Sequence, residues 1–189
     1  MSKIVLFDGT SMDKWVCRDG SPAKWRIEDG AMYVTPDGGD IISTENFGDA
    51  HIHVEFVEPD GKGNSGVYIH GCIEIQIYNT QDHVDEHILN DCGSIYRIHA
   101  PRVNAEKPPH EWQTYDIFFR AARFDEDGNV VNNAFATIFQ NDICIHNNVE
   151  IPCATPGGIG EKLVAEGPLL LQNHDKDEVG FRNIWIEKY

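Results

Sequence analysis

Apolar and polar residues alternate along several short segments of the chain, which is the pattern of β-strands that bury one face. In the segment 51–57, Ile52, Val54 and Phe56 alternate with polar side chains. Asp-Gly pairs and other turn signals separate such segments, whereas helical periodicity is weak throughout and best over 82–90. Many short strands with regular turns between them predict an all-β fold, either a sandwich or a barrel.

Two longer segments are interpreted in more detail. The segment 134–150 is predicted to be a β-hairpin that turns at Asn141 and Asp142. The segment 67–78 is predicted to be one strand of twelve residues, with only valine, isoleucine and glycine on one face. The other face carries hydrogen-bonding and aromatic groups, namely Tyr68, His70, Cys72, Glu74, Gln76 and Tyr78. Such a row of side chains is what a sugar-binding groove requires.

Glu74 and Gln76 are the sharpest chemical signal in the sequence. A carboxylate in a strand rich in isoleucine is costly to bury, so we expect Glu74 to face a groove. Ordinary glycoside hydrolysis uses two carboxylates, but the second position here is Gln76, which cannot titrate. The structural alternative is a buried ion pair between Glu74 and either Arg97 or Arg182.

Two further groups of residues have spacings that could hold a divalent metal ion. His51, His53 and Glu55 alternate on one strand face, although a solvated outer face explains them better. Aspartate, glutamate and histidine residues crowd the segment 82–91, where a charged surface loop is an equally good explanation. We assign no metal ligands, and a divalent metal stays a candidate cofactor. The GxGxxG match at 61–66 precedes a predicted strand and not a helix, which argues against nucleotide binding.

Composition and charge restrict the partners. The 189 residues include 31 acidic and 15 basic side chains, so the net charge is −16. That charge repels phosphate backbones and anionic lipid, so we expect neither nucleic-acid nor membrane partners. The length suits a single domain over 1–189. The N-terminal apolar run is too short for a signal peptide and the five cysteines lack CxxC spacing, so we expect a cytoplasmic protein with reduced thiols. Exposed edge strands would allow a homodimer.

A series of short motifs occurs in a fixed order along the chain. It comprises Leu6-Phe7-Asp8-Gly9-Thr10 with Trp15, Asn64-Ser65-Gly66, Glu74-Ile75-Gln76-Ile77, Glu111-Trp112-Gln113-Thr114-Tyr115, Leu171-Gln172-Asn173-His174 and Phe181-Arg182-Asn183-Ile184. Together these motifs resemble the 3-keto-disaccharide hydrolase domain family over nearly the whole length. The family often has Trp-Asn-Thr where this chain has Trp112-Gln113-Thr114. The resemblance implies a concanavalin-like jelly-roll β-sandwich of two antiparallel sheets.

The resemblance also implies a chemistry. Members of the family act on glycosides whose glucose C3 hydroxyl has been oxidised to a ketone. The ketone acidifies the proton at C2, so that a base can remove it and expel the C1 substituent, after which water adds to the enone. Such a scheme needs only one base, one proton donor and a group that stabilises the enolate.

The roles that follow from this scheme are hypotheses. Either Glu74 or His174 takes the C2 proton and the other protonates the leaving oxygen, while Arg182 or a metal polarises the ketone. The residues expected to bind the sugar, by hydrogen bonds or by stacking, are Gln76, Asn64, Tyr96, Tyr78, Trp112 and His70. The alternative function is a non-catalytic carbohydrate-binding module with the same fold.

Overall fold

A computed structural model of the protein describes residues 2–80, 88–174 and 177–189. These residues form strands, turns and loops, and they include no helix that is long and apolar enough to cross a bilayer. Most of the candidate helix 82–90 and of the metal-like segment 82–91 lies outside the described residues.

Eight strands form the larger of two main sheets. They are β1 (Ser2–Phe7), β3 (Arg26–Glu28), β4 (Ala31–Tyr33), β6 (Ala50–Val57), β9 (Gln113–Arg120), β12 (Ala134–Gln140), β13 (Ile143–Ile151) and β15 (Gly180–Lys188). Their order is β13-β12-β9-β6-β15-β4-β3, and β1 pairs with β15. All the pairings in this sheet are antiparallel.

Five strands form the second main sheet. They are β2 (Trp15–Cys17), β5 (Ile41–Phe47), β7 (Ser65–Ile69), β8 (Ile73–Ile77) and β14 (Gly167–Leu171). Their order is β2-β5-β14-β7-β8, again entirely antiparallel. A small separate ribbon joins β10 (Arg123–Phe124) to β11 (Val130–Asn132). The predicted jelly-roll sandwich of two antiparallel sheets is confirmed.

The apolar faces of the two sheets form one hydrophobic core. In β6, Ile52, Val54 and Phe56 are fully buried, as their alternation predicted. The hairpin of β12 and β13 is also confirmed, and both residues of its turn have positive φ, 51° at Asn141 and 65° at Asp142. Positive φ at both central residues is the backbone of a type I′ hairpin turn, which asparagine and aspartate tolerate better than most residues.

The prediction of one continuous strand over 67–78 is wrong. The segment is a tight hairpin of β7 and β8, and it reverses at His70 and Gly71, whose φ values are 54° and 64°. Ile69 pairs with Ile73, so three residues form the turn between them. Because Ile69 and Ile73 are four positions apart, the inward and outward alternation continues across the turn without a change of phase. The sequence pattern therefore concealed the reversal.

Candidate active site

A cavity of about 280 Å³ lies on the outer face of the five-stranded sheet, which is the face turned away from the hydrophobic core. Two loops cover this face. One pairs with β8, since the Gln76 N–H donates to the carbonyl oxygen of Ser94 and the Tyr96 N–H donates to the carbonyl oxygen of Glu74. The other carries Thr155 and Gly157. The residues that line the cavity are Asn64, Tyr68, Glu74, Gln76, Tyr96, Arg97, Pro156, Gly157, Gln172 and His174.

Glu74 lies at the floor of this cavity and is only 3% exposed. Its backbone N–H donates to Oγ1 of Thr155 at 2.8 Å, and this hydrogen bond attaches β8 to the second covering loop, which carries Thr155. The neighbouring strand has Gly66 next to the carboxylate, and a β-carbon there would lie 2.5 Å from Glu74 Oε1. Gly66 therefore creates the space that the Glu74 side chain occupies.

The protonation of Glu74 is set by opposing effects. Burial and, to a smaller extent, the negative charge of Asp40 raise the pKa of its carboxyl group, whereas a hydrogen bond with Tyr68 and the positive charge of Arg97 lower it. Burial has the largest effect, and the resulting pKa is about 7. Among the described residues no cation forms an ion pair with Glu74 within 4.0 Å, and the predicted alternative, a buried pair with Arg97 or Arg182, is not formed. At neutral pH the group is poised between its acidic and basic forms, as a general acid–base residue requires.

Tyr68 connects Glu74 to the rest of the cavity wall. Its hydroxyl accepts a hydrogen bond from Gln172 Nε2 at 2.9 Å, and its single proton can be donated either to the Glu74 carboxylate or to the carbonyl oxygen of Pro156 at 3.2 Å. Gly157 leaves room for that hydroxyl, since a β-carbon at Gly157 would lie 2.6 Å from it. The alternation pattern placed Tyr68 on the groove face, but nothing in the sequence indicated that Gln172 and the loop at 156–157 would meet it.

The loop that carries Gly157 is attached to the sandwich by Arg18. Its guanidinium donates to the carbonyl oxygens of Gly157 and Gly158 and forms an ion pair with Asp40 at 2.6 Å. Asp40 in turn accepts a hydrogen bond from the backbone N–H of Asn173 at 2.7 Å. These contacts stabilise the rim of the cavity without placing a second carboxylate in it.

Gln76 is buried beside Glu74, with 5% of its surface exposed. Its backbone carbonyl oxygen accepts hydrogen bonds from the Tyr115 hydroxyl at 2.6 Å and from the N–H of Gly93 at 2.9 Å. Its side-chain Oε1 has no hydrogen-bond partner among the described residues. A buried acceptor without a donor is costly, so this atom is suited to accept a hydrogen bond from a bound ligand.

Asn64 and His174 meet at the exposed mouth of the cavity. The Asn64 side-chain amide donates to Nδ1 of His174 at 2.9 Å, and Asp177 accepts the Asn64 backbone N–H at 2.8 Å. With Nδ1 acting as the acceptor, a neutral His174 ring carries its proton on Nε2. The structure thus brings His174 into the same cavity as Glu74, as the sequence analysis expected.

Tyr96 and Arg97 form the part of the cavity wall that lies beside β8. Both line the cavity, and the Arg97 guanidinium lies 5.1 Å from the centre of the Tyr96 ring. Arg97 has a positive φ of 61°, so the chain bends sharply where it presents this side chain. The sequence indicated Arg97 only as an ion-pair partner of Glu74, yet Arg97 is the cationic side chain among the described lining residues.

Arg182 and Trp112 do not reach the cavity. Arg182 donates to Glu55 Oε2 at 2.6 Å and lies over the Trp112 ring at 3.9 Å. Glu55 is on the outer face of the eight-stranded sheet, so the hydrophobic core separates this group from Glu74. The expectation that Arg182 and Trp112 share a groove with Glu74 is corrected, because the strand that carries Arg182 belongs to the other sheet.

His70 and Tyr78 also lie away from the cavity. The His70 ring is inside the sandwich, with its centre 5.0 Å from that of Phe47 and 4.9 Å from that of Phe119, and burial lowers its pKa. The hairpin turn at His70 directs the ring inward, which a straight strand would not have done. Tyr78 follows the end of β8, is half-buried and is not among the residues that line the cavity.

The group at His51, His53 and Glu55 is a charge-paired surface. Both histidines lie within hydrogen-bond distance of Asp116 Oδ1, at 2.8 and 2.9 Å. Burial raises the pKa of Asp116, but hydrogen bonds with the two histidines outweigh it and hold that pKa below its usual value. The Glu55 carboxylate accepts hydrogen bonds from Arg182 and Asn183. These contacts agree with the solvated outer face that the sequence analysis favoured.

In the candidate active site, Glu74 and His174 are the lining side chains that commonly bind metals. Two protein ligands are few for a resident cation, so a metal there would depend on water or substrate oxygens to complete its coordination.

The model of one protein family, the 3-keto-alpha-glucoside-1,2-lyase-like domain, matches residues 2–187 of the chain. No curated protein matches the sequence.

Several solved structures share the sandwich. A "putative glycosyl hydrolase" from Parabacteroides distasonis is 33% identical, with a TM-score of 0.89 over 99% of this chain and 84% of that chain. A second "putative glycosyl hydrolase" from the same organism is 16% identical, with a TM-score of 0.76 over 99% of this chain and 94% of that chain. The carbohydrate-binding module CBM66 from Bacillus subtilis is 11% identical, with a TM-score of 0.52 over 92% of this chain and 96% of that chain. The latter two likenesses extend to the fold alone.

Proposed function

Because the chain belongs to the 3-keto-alpha-glucoside-1,2-lyase-like domain family, we propose that it cleaves 3-keto-glycosides by proton abstraction at C2 and elimination at C1. This is the family that the sequence motifs predicted. The family and the 33% identical structure of a "putative glycosyl hydrolase" support a carbohydrate-active function. The 3-keto substrate and the elimination are the finer steps that we propose.

One observation carries the proposal: Glu74 is the single carboxylate among the described residues that line the cavity. Retaining and inverting glycosidases use two carboxyl groups, about 5 Å or about 6.5–9.5 Å apart. The adjacent outward-facing position is Gln76, which is not a carboxylate. Asp40, the acidic residue whose charge raises the pKa of Glu74, is paired with Arg18. A site with one poised carboxylate suits an elimination better than a direct displacement by water.

In the proposed reaction the ionised Glu74 removes the proton from C2. The electron pair of that C–H bond is first held by the C3 ketone as an enolate. It then forms the C1–C2 double bond while the bond between C1 and the leaving oxygen breaks and that oxygen takes a proton from His174. Water then bonds to C1 through its oxygen and gives a proton to His174, which is neutral after the first step, while the protonated Glu74 returns a proton to C2. A carboxyl group with a pKa of about 7 can take up and return this proton at neutral pH.

His174 is suited to protonate the leaving oxygen from Nε2 at the mouth of the cavity. Its Nδ1 already has Asn64 as a partner, at 2.9 Å. The Asn64 amide can donate to an unprotonated Nδ1 or, after rotation, accept from a protonated one, so it accommodates both states of the ring. Delivery of the Nε2 proton from a doubly protonated ring leaves a neutral imidazole and not an anion.

Arg97 replaces Arg182 as the group proposed to polarise the C3 ketone. Its charge acts on Glu74, and its guanidinium lies against Tyr96 in the cavity wall. A cation at this position would stabilise the enolate that forms when C2 loses its proton. Gln76 Oε1 is the buried acceptor available to a sugar hydroxyl.

Turnover of matched substrates tests the proposal. We expect wild-type protein to release 4-nitrophenol from 4-nitrophenyl 3-keto-glucoside and not from the unoxidised glucoside. Glu74→Gln should slow this release by about 10²–10⁴-fold, whereas the surface control Glu111→Gln should retain it. Binding of both glycosides without turnover would contradict the proposal and favour a carbohydrate-binding module, and equal cleavage of both would indicate ordinary hydrolysis.

A further inference from the structure

A second buried group of ionisable side chains lies behind the active site, inside one end of the sandwich. It consists of Glu58, just after β6, together with Cys92 and Glu106 from two loops. One potential ligand atom from each residue lies within 4.8 Å of the other two. Glu58 is 1% exposed and Cys92 is 3% exposed, while Glu106 is partly open to solvent.

Neutral hydrogen-bonding groups surround these three residues. Gln113 Nε2 donates to Glu58 Oε2 at 2.6 Å, and Gln140 Nε2 donates to Cys92 Sγ at 3.3 Å. Thr80 donates its backbone N–H to Glu106 Oε2 at 3.0 Å. Such contacts orient ligand side chains in metal sites.

The cluster holds acceptor oxygens that lack an N–H donor. The carboxyl groups of Glu58 and Glu106 can share a hydrogen bond when one of them is protonated, but no amide or other N–H group among the described residues donates to Glu58 Oε1. Oε1 of the fully buried Gln140, which contacts Cys92 through Nε2, also has no donor among those residues. No ion pair to Glu58 or Glu106 is formed by a lysine or arginine within the described part of the chain. Two neighbouring carboxylates cannot both stay ionised in such surroundings unless a cation neutralises them; otherwise one must hold a proton.

We propose that Glu58, Cys92 and Glu106 bind a zinc ion. A thiolate with two carboxylates suits Zn²⁺, which accepts sulfur and oxygen ligands in a tetrahedral arrangement, whereas Mg²⁺ and Ca²⁺ prefer oxygen alone. Binding releases protons from the thiol and from whichever carboxyl group holds one. The partial exposure of Glu106 provides the route by which the ion enters.

The zinc site would reinforce the floor of the active site. The Tyr115 hydroxyl lies 3.3 Å from Cys92 Sγ and donates to the backbone oxygen of Gln76 at 2.6 Å. Gly93, next to Cys92, donates to that same oxygen. The ion would therefore fix β8 from behind without contact with substrate, and the proposal does not depend on the reaction assigned above.

Cobalt and zinc titrations of chelator-treated protein test this site. We expect one Co²⁺ per chain, with the near-ultraviolet charge-transfer band of a cobalt–thiolate bond, and displacement of Co²⁺ by one equivalent of Zn²⁺. Cys92→Ser should remove the band, and Glu106→Gln should weaken Zn²⁺ binding at least about tenfold. The matched controls Cys153→Ser and Glu111→Gln change exposed residues and should bind as wild type does.

Either of two results would overturn the zinc site. Wild-type protein that takes up no Co²⁺ or Zn²⁺ would mean that a proton neutralises the carboxyl pair. Binding that persists unchanged in both Cys92→Ser and Glu106→Gln would place the ion elsewhere. The wild-type titration decides the matter even if a variant fails to fold, and circular dichroism identifies such a variant.

Discussion

The outer faces of the two sheets carry similar rows of polar side chains, but their electrostatics differ. On the eight-stranded sheet, Glu55 is paired with Arg182, and two histidines surround Asp116. On the five-stranded sheet, Glu74 is buried beneath two loops, and it forms no ion pair with any residue in the described part of the chain. Hydrogen bonds with Asn183 and Arg182 outweigh the effect of burial and hold the pKa of Glu55 down, whereas burial raises that of Glu74 to about 7.

This difference separates a structural surface from a reactive one. Charges that neutralise each other on a partly exposed face contribute little to stability and leave no group free to react. A carboxyl group held in a cavity without a compensating partner costs stability, and proteins retain such groups chiefly where they do chemistry. Glu55 and Glu74 are therefore a natural pair of positions for the same substitution.

The largest expected effect distinguishes these two glutamates. Glu74→Gln should lower kcat for a 3-keto-glycoside by about 10²–10⁴-fold, because the proton acceptor is lost while the amide keeps the shape of the side chain. Glu55→Gln should leave kcat unchanged, since the core separates it from the cavity. Steady-state kinetics of both purified variants checks this. Equal losses in the two variants would remove the distinction between the faces.

A glycine pair tests whether the position of the Glu74 carboxylate matters. Gly66→Ala places a β-carbon 2.5 Å from Glu74 Oε1 and should reduce kcat/KM by about 100-fold, because the carboxylate must move. Gly160→Ala meets no atom within 4 Å and should leave kcat/KM intact. An active Gly66→Ala variant with an unaltered pH profile would show that the carboxylate position is not critical.

Substitutions of two arginines test which cation polarises the C3 ketone in the cavity. Arg97→Gln should lower kcat/KM at least about tenfold. We expect a smaller loss than for a hydrogen-bond donor in a water-excluded site, because Arg97 is exposed. It should also move the rising limb of the pH–rate profile to higher pH, since Arg97 lowers the pKa of Glu74. Arg182→Gln should leave both unchanged and cost about 0–1 kcal/mol of stability. The reverse outcome would restore Arg182 to the role that the sequence suggested.

The last expected effect concerns stability and pH and not the catalytic rate. Folding raises the pKa of Glu74 from the usual 4.5 to about 7, so the folded chain binds this proton more tightly than the unfolded chain does. The contribution of Glu74 to the free energy of unfolding should therefore fall by about 2–3 kcal/mol as pH rises through that window. Glu74→Gln should lack this decrease in urea denaturation at pH 4.5, 6 and 7.5. Parallel curves for the two proteins would contradict the raised pKa.

The sequence predicted the sandwich and part of the cavity for one physical reason. Strand alternation reports which side chains leave the core, so Glu74 and Gln76 could be placed on an outer face. Alternation does not report which sheet a strand joins, and for that reason Arg182 and Trp112 were assigned to the wrong face. It also could not reveal the hairpin turn that directs His70 inward.

The remaining site residues come from contacts that no local pattern encodes. Arg97 enters the cavity because its loop pairs with β8, and Gln172 reaches Tyr68 across the sheet. The zinc-site cluster joins Glu58 to Cys92 and Glu106, which are far apart in the chain. In the sequence these residues have no metal-ligand spacing, so only the folded chain brings their ligand atoms together.

The most direct test of the central claim is the isotopic composition of the product formed in D₂O. Removal of the C2 proton followed by addition of water predicts one deuterium at C2 in newly formed 3-keto-glucose, or an enone that has lost its C2 hydrogen. Mass spectra at early times, against 3-keto-glucose incubated without protein, correct for spontaneous exchange. A product that keeps its original C2 hydrogen, together with a C2-deuterated substrate that reacts as fast as the unlabelled one, would mean that water displaces the leaving group directly, and would contradict Glu74 as the C2 base.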